Sequence, residues 1–122
     1  WKLRVDSALQ VVKKYDSINY GKILTNCKKV SFWNGSFSTV EDSQTILITQ
    51  KDMKHSSINN IAAILVHEST HLKIMNQKLR YTLIEEEIFC YHTELEFLRQ
   101  IPNVEDWLIN NTKKMILYYE RQ

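Results

Sequence analysis

An α+β domain, with a small antiparallel or mixed β-sheet packed on about four helices, is the fold class this sequence predicts. Three observations predict it. Long stretches carry apolar residues at a helical period, most clearly from Ile58 to Asn76 and from Tyr81 to Gln100. Ahead of them lies a short β-branched run, Thr45-Ile46-Leu47-Ile48-Thr49, with a turn signal upstream of it. The chain of 122 residues is long enough to bury one core and has no linker, repeat or low-complexity segment, so residues 1–122 read as a single domain.

Leu3 to Tyr15 opens the chain as an amphipathic helix, with Leu3, Val5, Ala8, Leu9, Val11, Val12 and Tyr15 opposite Lys2, Arg4, Asp6, Lys13 and Lys14. Ile18-Asn19-Tyr20-Gly21 is expected to end it, Gly21 acting as the break. Lys22 to Trp33 then reads as strand, Asn34-Gly35-Ser36 as a tight turn, and Phe37 to Glu41 as a continuation of the sheet. Thr45 to Thr49 is the clearest strand, and an edge strand there would hold an extended peptide through main-chain hydrogen bonds.

Ser56 or Ser57 caps the next helix, Ile58 to Asn76. A basic connection, Gln77-Lys78-Leu79-Arg80, leads to the helix from Tyr81 to Gln100, whose apolar line is Ile84, Ile88, Tyr91, Leu95 and Leu98. Glu85 and Glu86 suit a solvated first turn. Glu87 falls among Ile84, Ile88 and Tyr91 on the inward face, where a carboxylate needs a partner. Pro102 stops this helix and Asn103 caps a last one, Val104 to Tyr119, expected to bury Trp107, Leu108, Met115, Ile116 and one of Tyr118 and Tyr119.

The chemistry is concentrated in His67-Glu68-Ser69-Thr70-His71, inside the apolar run that starts at Ile61. Histidines four apart on a helix share a face one turn apart, so both imidazoles can reach one tetrahedral zinc ion. Glu68, next to the first ligand, is placed to handle the proton of a water. This is the His-Glu-x-x-His signature of zinc metalloproteases, with Glu68 as general base. Catalytic zinc takes three protein ligands and keeps one position for water. Gln77 stands where a histidine would complete the metzincin pattern, so the third ligand must come from elsewhere. Glu87 is the first candidate, Glu86 the second and Glu94 the third.

Two rivals fit less well. Glu68-Ser69-Thr70-His71 is also Glu-x-x-His, but a di-iron bundle needs a second copy. Asp52 and Phe89 precede His55 and His92 at that offset, and both histidines read as surface residues. A peptide-deformylase-like site needs a cysteine ligand in another setting, which Cys27 does not offer.

The segment from Thr45 to Leu98 resembles a small gluzincin metallopeptidase: a strand, a His-Glu-x-x-His helix and a following helix that donates a glutamate. In that clan the second helix often reads Glu-x-x-Ala and then an aromatic or acidic residue. Here Glu87-Ile88-Phe89-Cys90-Tyr91 stands in its place, with Cys90 at the alanine position. Lys73 departs from the pattern, since an apolar residue is more usual there. The resemblance covers under half the chain and implies a zincin-like fold, one Zn2+ held by His67, His71 and Glu87, and hydrolysis of peptide bonds. A donor for the developing oxyanion is expected as well. Tyr91, His92, Tyr118 and Tyr119 are the candidates, none of them singled out. The alternative function is a catalytically silent zincin-fold interaction or regulatory module, against which the intact Glu68 argues.

A chain this short has few walls for a groove, so peptides or unstructured protein segments are the expected substrates. A terminal segment lying across the cleft would keep the enzyme latent. A formal net charge of +2 does not point to nucleic acid, and no window has the length of a transmembrane helix. Trp1 in place of an initiator methionine suggests that a signal peptide, an anchor or an upstream domain was removed, so a cytoplasmic and an exported location both stay open. Cys27 and Cys90 fit either one disulfide or two buried thiols, with Cys90 on an apolar helical stripe. Oligomeric state is not legible.

Overall fold

The computed structural model describes residues 1–122 and is α+β, with six helices and one three-stranded mixed sheet. The two helices beyond the expected four are both local surprises. Helix α1 (Lys2–Tyr15) buries Val5, Ala8 and Val12 at helical spacing. Its guanidinium of Arg4 donates to the carbonyls of Met53 and Ser56, tying the helix to the middle of the chain.

Helix α2 (Ser17–Asn26) replaces the strand expected from Lys22. Gly21 does not end a helix; it sits exposed inside this one, in open space. The decisive signal is Asp16, a cap residue whose carboxylate accepts from the Asn19 backbone at 3.1 Å and from the Asn19 side chain at 2.6 Å. Asn19, Ile23 and Asn26 then form the buried stripe.

Strands β1 (Lys29–Trp33), β2 (Thr39–Asp42) and β3 (Thr45–Thr49) lie in the order β1-β3-β2. β1 runs parallel to β3 and β2 antiparallel to it, with an irregularity in the register between Val40 and Asp42. Two expectations are corrected here. The clearest strand, β3, is central rather than an edge, which explains its nearly continuous burial. Asn34-Gly35-Ser36 does not close a hairpin, because β1 and β2 never pair. Instead Gly35 packs against the Trp33 indole so closely that a Cβ would lie 2.1 Å from a ring carbon.

A short helix, α3 (Gln50–His55), was not anticipated; Thr49 caps it by accepting from the Asp52 backbone at 3.0 Å. Helix α4 (Ile58–Asn76) has the expected bounds, and Ser57 is its cap. It buries Ile61, Ala62, Ala63, Leu65 and Val66 and stays buried through Thr70, as the central rod of the molecule must. Helix α1, helix α2, the sheet and helix α5 (Leu83–Arg99) pack around it. Thr82 and Glu85 form a capping box at the start of α5.

Helix α6 (Asp106–Glu120) packs on α5 and buries Leu108 and Ile116 as expected, with Met115 only half-buried. Leu108, Thr112 and Ile116 face inward, while Trp107 is 54% exposed rather than buried. Glu105, not Asn103, stands at its start; Asn103 takes a left-handed φ of 56° in the preceding turn. The Glu105 carboxylate accepts from Ser57 Oγ at 2.6 Å and Asn59 Nδ2 at 2.7 Å, joining the starts of α6 and α4. No helix is long and apolar enough to cross a membrane.

Candidate metal centre

His67 and His71 come from the middle of α4 with ring centroids 5.1 Å apart, as a one-turn spacing dictates. α5 crosses beside them and brings Glu87 to both rings. One Glu87 oxygen lies 2.5 Å from His71 Nε2 and the other 3.7 Å from His67 Nε2. The two imidazoles therefore turn their Nε2 atoms toward one carboxylate. Glu68 Oε2 is 4.0 Å from His67 Nε2, and Glu86 Oε2 is 3.6 Å from His71 Nδ1, beyond a good hydrogen bond.

The other nitrogen of His67 is already engaged. Its Nδ1 lies 3.0 Å from Glu94 Oε1, and Thr112 Oγ1 donates to Glu94 Oε2 at 2.7 Å. Glu94, expected only as a remote choice for third ligand, holds the ring instead. It is two turns beyond Glu87 on the same face of α5, a spacing visible in the sequence. A carboxylate on one imidazole nitrogen fixes the tautomer and leaves Nε2 for an ion, which is how metal-binding histidines are oriented. Thr112 carried no such signal, because a threonine on a buried helix stripe has many ordinary uses.

Imidazoles and carboxylates set one another's charge here. Burial opposes a charge on His67, yet the hydrogen bonds of Glu87 and Glu94 and the charge of Glu68 outweigh it and lift the imidazole to about 10. Burial likewise works against the Glu87 carboxylate, but the two imidazoles hold it down to about 2. Glu68 is pushed up to about 7 by burial, against the pull of His67 and His71. His71 is raised as well. Without a cation, protons on the imidazoles balance these acids.

The donor chemistry fits zinc: two neutral-capable imidazoles, a carboxylate between them, an outer carboxylate on His67 and a further acid beside the group. Glu87 lies between the two rings, Glu86 is further off, and Glu94 is bonded to His67. Cys90, one turn beyond Glu87, also reaches the group: its Sγ and one ligand atom from each histidine lie within 4.8 Å of one another. The sequence had placed Cys90 on a stripe without connecting it to the histidines. Both cysteines are free thiols.

A cleft of about 430 Å³ opens at these residues, lined by His67, Glu68, His71, Glu87, Tyr91, Met115, Tyr119 and the segment Phe37-Ser38-Thr39 leading into β2. The Tyr91 ring lies edge-on to His67 at 4.3 Å and stacks on Tyr119 at 5.9 Å. Of the other residues weighed as donors, His92 and Tyr118 are exposed, and neither lines this cleft; His55 is a surface residue. A larger cleft of about 570 Å³ lies elsewhere, between α2, α4 and α5, and is lined by none of His67, Glu68, His71, Glu87 and Cys90. Comparison with protein-family models, with curated proteins and with solved structures finds no match to this chain.

Proposed function

We propose that this chain is a zinc-dependent peptidase with a zincin-like architecture, holding one Zn2+ through His67, His71 and Glu87 and using Glu68 as general base. The observation that carries the reading is the convergence of both Nε2 atoms on Glu87, with Nδ1 of His67 tied to Glu94 and the Glu68 carboxylate alongside. A zinc ion bound there would supply Lewis acidity, lowering the pKa of a water and polarising a carbonyl.

The remaining work falls to the chain. Glu68 accepts the proton of the attacking water and later hands it to the leaving amine nitrogen. The carboxylate is buried and lies 4.0 Å from His67 Nε2, close enough to take the proton of a water held there. Glu94 and Thr112 keep His67 in one tautomer throughout. Tyr91 and Tyr119 are the phenols that line the cleft and the candidates for the oxyanion. An extended peptide would lie along β2, the antiparallel edge at the cleft, exchanging main-chain hydrogen bonds with it. Unfolded segments suit so short a wall better than folded proteins do.

A binding module with no turnover would have no use for an acid at position 68. Metal analysis and peptide cleavage by wild type and Glu68→Gln separate the two functions. We expect one zinc per chain in both proteins and a cleavage rate lower by about 10²–10⁴-fold in the variant. Equal rates would refute the mechanism.

A further inference from the structure

We propose that Cys90 is a further ligand, with His67 and His71, to an ion held beside the Glu87 carboxylate. The proposal rests on the metal reading above and extends it to the resting state of the centre. Three facts support it. Cys90 Sγ and one ligand atom of each histidine lie within 4.8 Å of one another, close enough for small side-chain adjustments to place them on one ion. Cys90 is fully buried and free, so its sulfur has no disulfide partner and no solvent to compete with. It stands three residues beyond Glu87, hence on the same face of α5.

Charge explains why the thiol and the ion need each other. Burial and the acids Glu87, Glu68 and Glu86 all oppose a thiolate here. The same acids attract a divalent cation, and a cation reverses the balance at the sulfur. Lys22, whose Nζ bonds Thr70 Oγ1 at 2.6 Å, adds a positive charge that favours the thiolate. On ligation the S–H bond breaks, its electron pair stays on sulfur and is donated to the ion, and the proton passes to the buffer; nothing is oxidised or reduced. Cys27 cannot substitute, since its thiol is engaged with the Lys29 carbonyl at 3.3 Å.

Two imidazoles, the thiolate and the Glu87 carboxylate would together make a filled tetrahedral set, as structural sites have. With Glu87 also bound, water would gain access only when the sulfur leaves, so the resting centre would be capped from within α5. A soft donor also favours zinc and cadmium over harder ions.

Cobalt(II) titration of the full chain tests this. With wild type we expect one equivalent bound and a sulfur-to-cobalt charge-transfer band in the near ultraviolet. Cys90→Ala should still bind cobalt but lose the band, whereas Cys27→Ser should keep it. Cobalt bound by wild type without the band overturns Cys90 ligation and leaves the His67, His71 and Glu87 centre standing. A band lost with Cys27→Ser and kept with Cys90→Ala overturns it too. Absence of cobalt binding by wild type refutes the metal centre itself, and Cys90 ligation with it. Capping is read separately: peptide turnover by zinc-loaded Cys90→Ala above that of wild type supports it, and turnover no higher than wild type overturns it.

Discussion

Glu94 has no place in a list of ligands, yet it governs what His67 can do. Its carboxylate lies 3.0 Å from Nδ1 and is itself held by Thr112. Replacing it by glutamine keeps the shape and removes the charge that makes the imidazole a better donor. We expect Glu94→Gln to lower zinc affinity roughly 10–100-fold, with Thr112→Val weakening it less, as is usual for partners behind a ligand. Competition with a chromophoric chelator measures this, and unaltered affinity in Glu94→Gln would remove the orienting role. Glu87 and Glu94 illustrate what is and is not legible in residues. Glu87 does have partners, although the face expected to be inward is only partly so: Ile84 is exposed and Ile88 and Tyr91 are half-buried. Which atom of which ring it meets depends on how α5 crosses α4, and no spacing within one helix contains that angle.

Among the elements, α4 and α2 are opposite cases. Helix α4 could be bounded from sequence because its periodicity runs for 19 residues and Ser57 marks its start. Helix α2 is 10 residues long, with a glycine in its middle and two β-favouring isoleucines, and local propensity pointed to a strand. Asp16 overrules that, since its side chain satisfies the first turn and also accepts from Gln100 Nε2 at 2.9 Å. The glycine is therefore tolerated rather than required. Gly21 has open space where a Cβ would go and no left-handed backbone. Gly21→Ala should stabilise the domain by about 0.5–1 kcal/mol, read from urea denaturation. A loss of stability would mean that residues 17–26 are not helical in solution. The sheet failed for a similar reason. Asn34-Gly35 is a strong hairpin signal, but β3 takes the position between β1 and β2, so the turn carries the chain past a strand not yet made.

For the molecule as a whole, the proposed zinc site predicts that stability depends on pH in opposite directions with and without metal. In the metal-free protein, His67 is raised from 6.5 to about 10, so its contribution is complete below 6.5 and is lost as pH climbs through 10. Glu68, raised from 4.5 to about 7, likewise favours the fold at low pH and costs stability as pH rises through 7. Glu87 is lowered to about 2, so its contribution is present above 4.5 and disappears toward pH 2. Chelator-treated protein should therefore be most stable near about pH 5 and melt earlier at each step toward alkaline pH. Zinc-loaded protein should show the reverse trend from pH 5 to 8, because ligands must shed protons to bind. Thermal melts with and without chelator across that range decide it, and parallel curves would exclude an ion at these residues.

Helix α6 matters at the same scale. It provides Met115 and Tyr119 to the cleft and Thr112 to Glu94, so cutting the chain near Pro102 removes a wall of the site along with any cover. By itself the sequence determined the α+β class, the bounds of α4 and the set of acids and imidazoles from which the centre is drawn. Those follow from periodicity and from spacing within one helix, which are local. Only the tertiary structure decided that Glu87 rather than Glu94 faces both Nε2 atoms, that Cys90 comes near both histidines, and that β3 is central with β1 and β2 as the edges. Each depends on the packing of one element against another, and packing is set by side chains far apart in the chain whose contacts leave no periodic trace.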